Sequence, residues 1–324
     1  MAAYIDRSSL LEMRRSALIA AVLLLLSATS LAHGGKPHDL SELLEAWSFD
    51  PLVVIGLIVS AAVYALGVSR LWRQSEVGSA ISVRGAVSYA IGWLSLVVAL
   101  VSPMHSWGEV LFAAHMTQHE ILMLISAPLI VLGRPLIAAM WTLPRGLRLK
   151  VGAAVKTDAI SRTWEFFTGA TAAFVVHGLA LWVWHIPYLF QATLKSDVIH
   201  TLQHTSFLGS ALLFWWAIIY GKRGVASYGA GVLYLFVTSI HSGILGAFLT
   251  FTRHIWYPIY APTASEWGLT PIEDQQLGGL IMWIPAGLVY IAAALFMFAA
   301  WINSSENAAI KNHKRRTTPA VAEV

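Results

Sequence analysis

Cysteine is absent from all 324 residues of the chain. Its absence excludes disulfides, thiolate metal sites and iron–sulfur clusters. Charged residues are also scarce, at 12% of the sequence, whereas soluble domains contain about 25%. Hydrophobic residues make up 57% and the mean hydropathy is +0.66. A chain with so little polar surface cannot cover a soluble globule of this size, so the composition predicts that lipid covers part of it.

Signatures of catalysis are missing as well. The sequence has no nucleophile elbow, no phosphate-binding loop and no dinucleotide fingerprint, which predicts that the protein is not an enzyme. The net charge is +4 and the pI is about 9.3, but the basic residues fall in short clusters between apolar runs. That distribution is typical of membrane topology signals and argues against a nucleic-acid partner.

Residues 1–32 have the pattern of a signal peptide. A basic start that includes Arg14 and Arg15 precedes an apolar run over 17–26. Ser30 and Ala32 then suit the positions three and one residues before a cleavage site. An uncleaved first helix is the alternative interpretation. In either case residues 33–50 form an external N-terminal stretch.

Longer apolar segments follow, and most approach the roughly 20 residues that a bilayer-spanning helix needs. We place seven of them at 51–72, 85–104, 119–141, 164–184, 205–220, 229–251 and 277–301. The sequence therefore predicts an all-α, polytopic membrane bundle over 51–301, followed by a basic cytoplasmic tail, 302–324. We expect Pro128 and Pro135 to bend the third segment, because each lacks a backbone donor.

The loops between these segments indicate the orientation of the chain. Basic residues fall in alternate loops, around Arg70, Lys150 and Lys222, and again in the C-terminal tail. The positive-inside rule places these parts in the cytoplasm. The mature N-terminus is then outside and the C-terminus is inside.

The twelve histidines supply the main functional signal. On this topology only His313 is cytoplasmic, and the others gather toward the outer face. His115 and His119 are four residues apart, as are His200 and His204, so the two rings of each pair share one helical face. Polar groups within membranes are costly and tend to be functional. The grouping therefore predicts a metal or haem site.

The two pairs lie in similar strings, His115-Met-Thr-Gln-His119 and His200-Thr-Leu-Gln-His204. Each pair follows an outward-running segment that ends in a histidine. This order favours a parallel duplication of a two-helix unit, with the two halves related about an axis along the membrane normal.

Copper is the favoured ion for this site. Imidazole suits copper, zinc, iron and nickel, and thioether favours Cu(I), while the few acidic residues disfavour calcium and magnesium. We expect the centre of the site to be His115, His119, His200 and His204. The nearby candidates are His105, His185, Met104 and Met116. Two further candidates, His177 and His241, lie deeper. His177 forms a second site or serves as a structural hydrogen-bond partner.

These motifs resemble those of the CtaG-type cytochrome c oxidase assembly factors. The resemblance covers residues 50–300 and rests on Met104-His105, His115-Met116-Thr117-Gln118-His119-Glu120, Gly133-Arg134-Pro135, Trp184-His185-Ile186-Pro187, His200-Thr201-Leu202-Gln203-His204 and His241-Ser242-Gly243. It implies a bacterial plasma-membrane protein that assists the assembly of a haem–copper oxidase. Oxidase subunits and an external copper donor are the partners that it implies.

Three functions of different classes stay open at this point. The leading one is a protein that binds copper and delivers it to the oxidase. The second is a haem-binding electron-transfer protein, with two histidines on facing helices as axial ligands. The third is a metal transporter, which needs a polar path through the cytoplasmic halves of the helices, where the sequence offers little beyond Arg134. The acidic pair Glu273-Asp274 is interpreted as part of a solvated loop.

Overall fold

The computed structural model of the protein describes residues 36–221 and 225–317. The predicted signal peptide 1–32 and the basic residues Lys222 and Arg223 lie outside the described residues. Within the described ranges every regular element is a helix, and there is no strand. The predicted all-α class is therefore confirmed for this part of the chain.

In the N-terminal half a short first helix precedes two long helices, and four short helices follow. In chain order they are α1 (Leu40–Glu45), α2 (Pro51–Gln74), α3 (Val83–Leu100), α4 (Pro103–Val110), α5 (Phe112–Glu120), α6 (Ala127–Leu132) and α7 (Pro135–Thr142). A π-helical segment, Ile121–Ser126, joins α5 to α6. We refer to the end of the bundle that carries α4 and the start of α5 as the histidine end.

The C-terminal half also combines short and long helices. Its helices are α8 (Arg145–Val155), α9 (Asp158–Phe167), α10 (Ala170–Trp184), α11 (Pro187–Thr193), α12 (Asp197–Tyr220), α13 (Val225–Phe251), α14 (Ala261–Glu266) and α15 (Pro271–Thr317). A short 3-10 turn, Pro258–Tyr260, precedes α14. In both halves a short helix that begins at proline precedes the helix with the histidine pair. The duplication itself stays a prediction.

Six helical stretches of the described chain are long and apolar enough to cross a membrane. They are Pro51–Gln74, Val83–Leu100, Phe112–Leu132, Asp197–Tyr220, Tyr228–Phe251 and Pro271–Glu306. The predicted fourth segment, 164–184, corresponds to α9 and α10, which meet at an angle of 54°. The protein is a multi-pass membrane protein, and the predicted number of seven spans requires this bent pair to be one span.

The third segment differs from the predicted single helix over 119–141. The helix begins earlier, at Phe112, and it ends at Leu132. Arg134 then adopts a left-handed backbone conformation, with φ of +52°, and Pro135 starts the separate helix α7. A proline disfavours helical geometry in the residue before it and lacks a donor of its own. The chain therefore breaks at Arg134, where a bend at Pro135 was expected.

The side chain of Arg134 holds this break in place. Its guanidinium donates to the carbonyl of Ala80 at 3.0 Å and to the hydroxyl of Tyr220 at 3.4 Å. The same group lies 5.3 Å from the centre of the Tyr220 ring. At the end of the bundle opposite the histidine end, the half-buried guanidinium is thus hydrogen-bonded to α12 and to the loop after α2.

The second segment also ends sooner than predicted. The spanning helix α3 ends at Leu100, and Met104 and His105 belong to the short helix α4. Ser102 caps α4, because its hydroxyl accepts from the backbone N–H of Met104 at 3.3 Å. His105 is consequently carried by a helix that lies beside the spans, and its ring can approach α12 from the side.

The last helix, α15, fixes the start of α5. A Cβ on Gly278 would lie 2.3 Å from a ring carbon of Phe112, so only glycine allows this close crossing. One turn earlier, the buried carboxylate of Asp274 accepts from the backbone N–H groups of Phe112 and Ala113 at 2.8 and 2.9 Å. The interpretation of Glu273-Asp274 as a solvated loop is wrong in part, because both residues lie in the first turn of α15. Glu273 is exposed as expected, whereas Asp274 is buried because the unpaired N–H groups of α5 need an acceptor.

The tail is partly helical. The final segment was predicted to end at residue 301, but α15 continues to Thr317. Residues 302–317 contain neither glycine nor proline, so no helix breaker ends α15 at the predicted position.

Candidate metal centre

The first histidine pair lies near the start of α5. His115 and His119 are almost completely buried, with 0% and 1% of their surface exposed. Their ring centres are 4.4 Å apart, as expected for residues one helical turn apart on one face. Because Asp274 caps α5, both rings are held at a fixed depth below the histidine end.

The second pair lies near the start of α12 and faces the first. The ring centres of His200 and His204 are 4.3 Å apart. The ring of His115 lies 5.1 Å from that of His200 and 5.7 Å from that of His204, and the rings of His119 and His204 are 5.2 Å apart. The possible ligand atoms of His115, His200 and His204 all lie within 4.8 Å of one another. The structure therefore brings the four predicted central residues together.

Two of the predicted neighbours join this group. The ring of His105 stacks on that of His200 at 5.2 Å, and the ring of His185 lies 6.4 Å from that of His119. We call these two residues and the two pairs the histidine cluster. Four elements contribute to it, namely α4, α5, α12 and the C-cap of α10.

Hydrogen bonds orient two of the rings. Nδ1 of His115 lies 3.2 Å from the carbonyl of Gly108 and 3.0 Å from the hydroxyl of Tyr260. That hydroxyl itself donates to the Gly108 carbonyl, so Nδ1 carries the ring proton and Nε2 keeps a lone pair. His185 likewise donates from Nδ1 to the carbonyl of Leu181 at 2.6 Å. Metal-ligating histidines are typically oriented by such bonds to a carbonyl.

Several ring nitrogens of the cluster have no hydrogen-bond partner although they are buried. They are Nδ1 and Nε2 of His119 and Nε2 of His185, His200 and His204. Leaving one buried polar group unpaired costs about 1–3 kcal/mol. A bound cation removes this cost, because it accepts the lone pairs of several imidazoles at once.

Gln203, a buried residue of α12, contacts the first histidine pair. Its side-chain oxygen is placed 3.3 Å from Nε2 of His115, while its amide nitrogen has no acceptor. With the amide turned over, the nitrogen donates to Nε2 of His115, since that atom has a lone pair. The His115 lone pair is then held by a group that a cation can displace.

The predicted methionines lie differently. Met116 is fully buried in an apolar cluster with Phe112, Tyr257 and Met282. Met104 is half-buried beside His105. Successive residues of an α-helix are rotated by about 100°, so Met116 lies beside the face that His115 and His119 share on α5. Packing therefore accounts for Met116 without an ion.

The two deeper histidines lie outside the cluster. His177 is buried and fully partnered, with Nδ1 3.1 Å from the hydroxyl of Ser210 and Nε2 3.4 Å from that of Tyr290. These contacts fit the structural alternative that was predicted for His177. The ring of His241, on α13, packs against Gly178 on α10, and neither of its nitrogens has a hydrogen-bond partner. A ligand role for His241 stays a prediction.

Glu109 is a potential ligand that was not among the predicted site residues. Its carboxylate joins His105 and His200 in a second group whose ligand atoms lie within 4.8 Å of one another. Burial raises the pKa of the Glu109 carboxyl and lowers the pKa of the His105 imidazole. His105 is therefore neutral at neutral pH and has a lone pair to offer. The spacing His105-x-x-x-Glu109 on one helical face was the signal that could have revealed this group.

Comparisons with known proteins agree with the motifs. The chain is 26% identical over 285 residues to an uncharacterized protein of Mycobacterium tuberculosis and to one of Mycobacterium bovis, and 25% identical over 290 residues to one of Mycobacterium leprae. Each match covers 86% of this chain and 43% of the relative, so the chain spans less than half the length of these curated relatives. No solved structure matches the chain. The model of the cytochrome c oxidase caa3 assembly factor family (Caa3_CtaG) matches residues 62–304, and the chain therefore belongs to that family.

Proposed function

We propose that this protein binds copper at His115, His119, His200 and His204 and delivers it to a haem–copper oxidase during assembly. The observation that carries the proposal is the group of facing, buried imidazoles, in which ring nitrogens of His119, His200 and His204 lack other partners. Family membership supports the oxidase as the recipient. Delivery of an ion requires no catalytic turnover, so the protein acts without being an enzyme.

The donor set fits a copper ion as cargo. Several neutral imidazoles suit copper, and the absence of thiolates leaves nitrogen as the main ligand. In the bacterial plasma membrane, with the positive-inside orientation, the histidine end faces outward. An external copper donor and the outer face of an oxidase subunit can then both reach the cluster.

Haem binding is less well supported by the geometry. Two axial imidazoles need an open slot between them for the macrocycle, whereas neighbouring rings in the cluster are as close as 4.3 and 4.4 Å. Two cavities of about 640 and 1010 Å³ open between the helices, and no histidine of the described chain lines either of them. The imidazoles therefore face one another across a space suited to an ion.

A transporter is also less well supported. Transport needs ionisable groups that are free to serve a path through the opposite half of the bundle. The predicted candidate there, Arg134, is engaged by Ala80 and Tyr220. Its contacts account for it as a structural residue at the break before α7.

Copper retention tests the proposal. Protein purified in detergent is loaded with Cu(I), washed with the chelator bathocuproine disulfonate, and analysed for metal and for its absorption spectrum. We expect the wild type to retain copper and His204→Ala to lose it, because that substitution removes one of three ligand atoms within 4.8 Å. His254→Ala removes an exposed histidine outside the cluster and should retain copper as the wild type does.

Two results would contradict the proposal. One is retention of equal amounts of copper by the wild type and His204→Ala, or by neither. The other is a strong Soret band in the purified wild type, which would assign the cluster to haem.

A further inference from the structure

The structure contains two overlapping groups of potential ligands. His115, His200 and His204 form a buried group, and His105, Glu109 and His200 form another. His200 belongs to both. The second group is nearer to solvent, since the side chains of His105 and Glu109 are 18% and 39% exposed. An ion can therefore reach His105 and Glu109 before it reaches the buried imidazoles.

The helix α4 presents these two side chains together. His105 and Glu109 lie one turn apart, with 3.8 Å between Nε2 and the nearer carboxylate oxygen. The amide nitrogen of Gln118 on α5 donates to the carbonyl of Ala99 at 2.6 Å and lies 3.1 Å from Nδ1 of His105. This bridge holds the His105 ring between α3 and α5, with its Nε2 side toward Glu109. An ion that binds Nε2 of His105 requires the tautomer with the ring proton on Nδ1.

Charge distinguishes the outer group from the inner one. The inner group consists of imidazoles alone, whereas Glu109 adds a carboxylate that attracts cations. A cation is already present beside it, because the ammonium of Lys36 donates to the backbone carbonyl of Glu109 at 3.1 Å. His105 and Glu109, which we call the mouth of the cluster, therefore attract positive charge. An arriving ion competes there with the ammonium of Lys36.

We infer that His105, Glu109 and His200 form an entry site, from which the ion passes to His115 and His204 while His200 stays bound. The inference rests on the proposed function, because it describes how the same cluster is loaded. The transfer exchanges two ligands, His105 and Glu109, for two others, and the ion keeps its oxidation state. Sharing His200 removes the need to release the ion between the two sites.

Loading kinetics test the entry site. Wild type and Glu109→Gln are mixed in detergent with Cu(I) bicinchoninate, and the transfer of copper is followed by stopped-flow absorption. We expect Glu109→Gln to load about tenfold more slowly, as is typical when a steering charge is lost from a binding mouth. Glu45→Gln removes an exposed carboxylate from the same end of the chain and should load at the wild-type rate. The final amount of copper checks that each variant is folded.

A second variant examines the entry site alone. In His204→Ala the outer group is intact, so we expect it to take up one Cu(I) that the chelator removes quickly. Adding Glu109→Gln to His204→Ala should abolish this weak binding. An unchanged loading rate in Glu109→Gln, or equal weak binding by the single and double variants, would overturn the entry site and leave the proposed function intact. A wild type that binds no copper would overturn both.

Discussion

The histidines of the cluster and His177 are similarly buried, but the partners of their ring nitrogens differ. His177 finds a hydroxyl for each ring nitrogen, from Ser210 on α12 and from Tyr290 on α15. In the cluster, by contrast, His119 has no partner at either nitrogen, and His204 has none at Nε2. Burial is therefore common to both places, and what differs between them is whether the ring nitrogens have hydrogen-bond partners.

A charged group at the opposite end of the bundle is also hydrogen-bonded, as His177 is. Arg134 is buried in part, yet a carbonyl and a hydroxyl accept its N–H groups. Polar groups that join helices in membranes are paired in this way. The histidine cluster stands apart because its polar atoms converge on one another.

The largest effect on stability is expected at Asp274, which holds the cluster from outside it. Asp274→Ala leaves the N–H groups of Phe112 and Ala113 without their acceptor, so unfolding in detergent should be easier by about 2–3 kcal/mol. Copper retention should fall too, since α5 carries His115 and His119. Thermal unfolding monitored by circular dichroism measures the first effect.

Two further variants serve as controls for Asp274→Ala. Asp274→Asn keeps one acceptor oxygen and should lose less stability. Glu273→Ala alters the exposed neighbour and should change stability by about 1 kcal/mol or less. Equal unfolding temperatures for Asp274→Ala and Glu273→Ala would show that the cap does not hold α5.

A smaller loss of stability is expected for His177→Ala. This variant also tests directly whether His177 differs from the histidine cluster in copper binding. His177→Ala removes two interhelical hydrogen bonds and should destabilise the protein by about 1–3 kcal/mol. Copper retention after the chelator wash should equal that of the wild type. If His177→Ala lost copper as His204→Ala does, His177 would belong to the copper site despite its two hydroxyl partners.

The smallest effect concerns the stretch before α1, which lies over the mouth of the cluster. Glu266 on α14 raises the pKa of His38 through a 2.8 Å hydrogen bond. A raised pKa in the folded state means that this contact contributes fully below the unfolded pKa, about 6.5, and is lost as pH rises through the folded value. We therefore expect the stretch to loosen as the pH increases past neutrality.

A spin label reports this loosening, and the cysteine-free chain makes the labelling specific. A label at Leu44→Cys, an exposed position on α1, should gain mobility in electron paramagnetic resonance spectra between pH 6 and pH 8. His38→Gln should show the same mobility at both values. A pH response that survives His38→Gln would assign the titration to another group.

Several features of the fold could be predicted because they depend on local sequence. Long apolar segments and the lack of charge indicate a helical membrane protein, whatever the helices contact. Pro135 indicated that the third helix is interrupted, but not whether it bends or breaks. Whether Arg134 bends the helix or breaks it depends on the acceptors at Ala80 and Tyr220, which are distant in sequence.

The sequence by itself determined that His115 and His119 share one helical face, as do His200 and His204, because helical geometry relates residues four apart. Only the tertiary structure decided that these faces meet. That outcome depends on the rotation of α5 and α12, which is set by packing such as the close crossing of Phe112 and Gly278. It also depends on Asp274, whose role arises from two N–H groups about 160 residues earlier in the chain. Contacts of this range leave no periodic pattern in the sequence, and so they appear only when the helices are assembled.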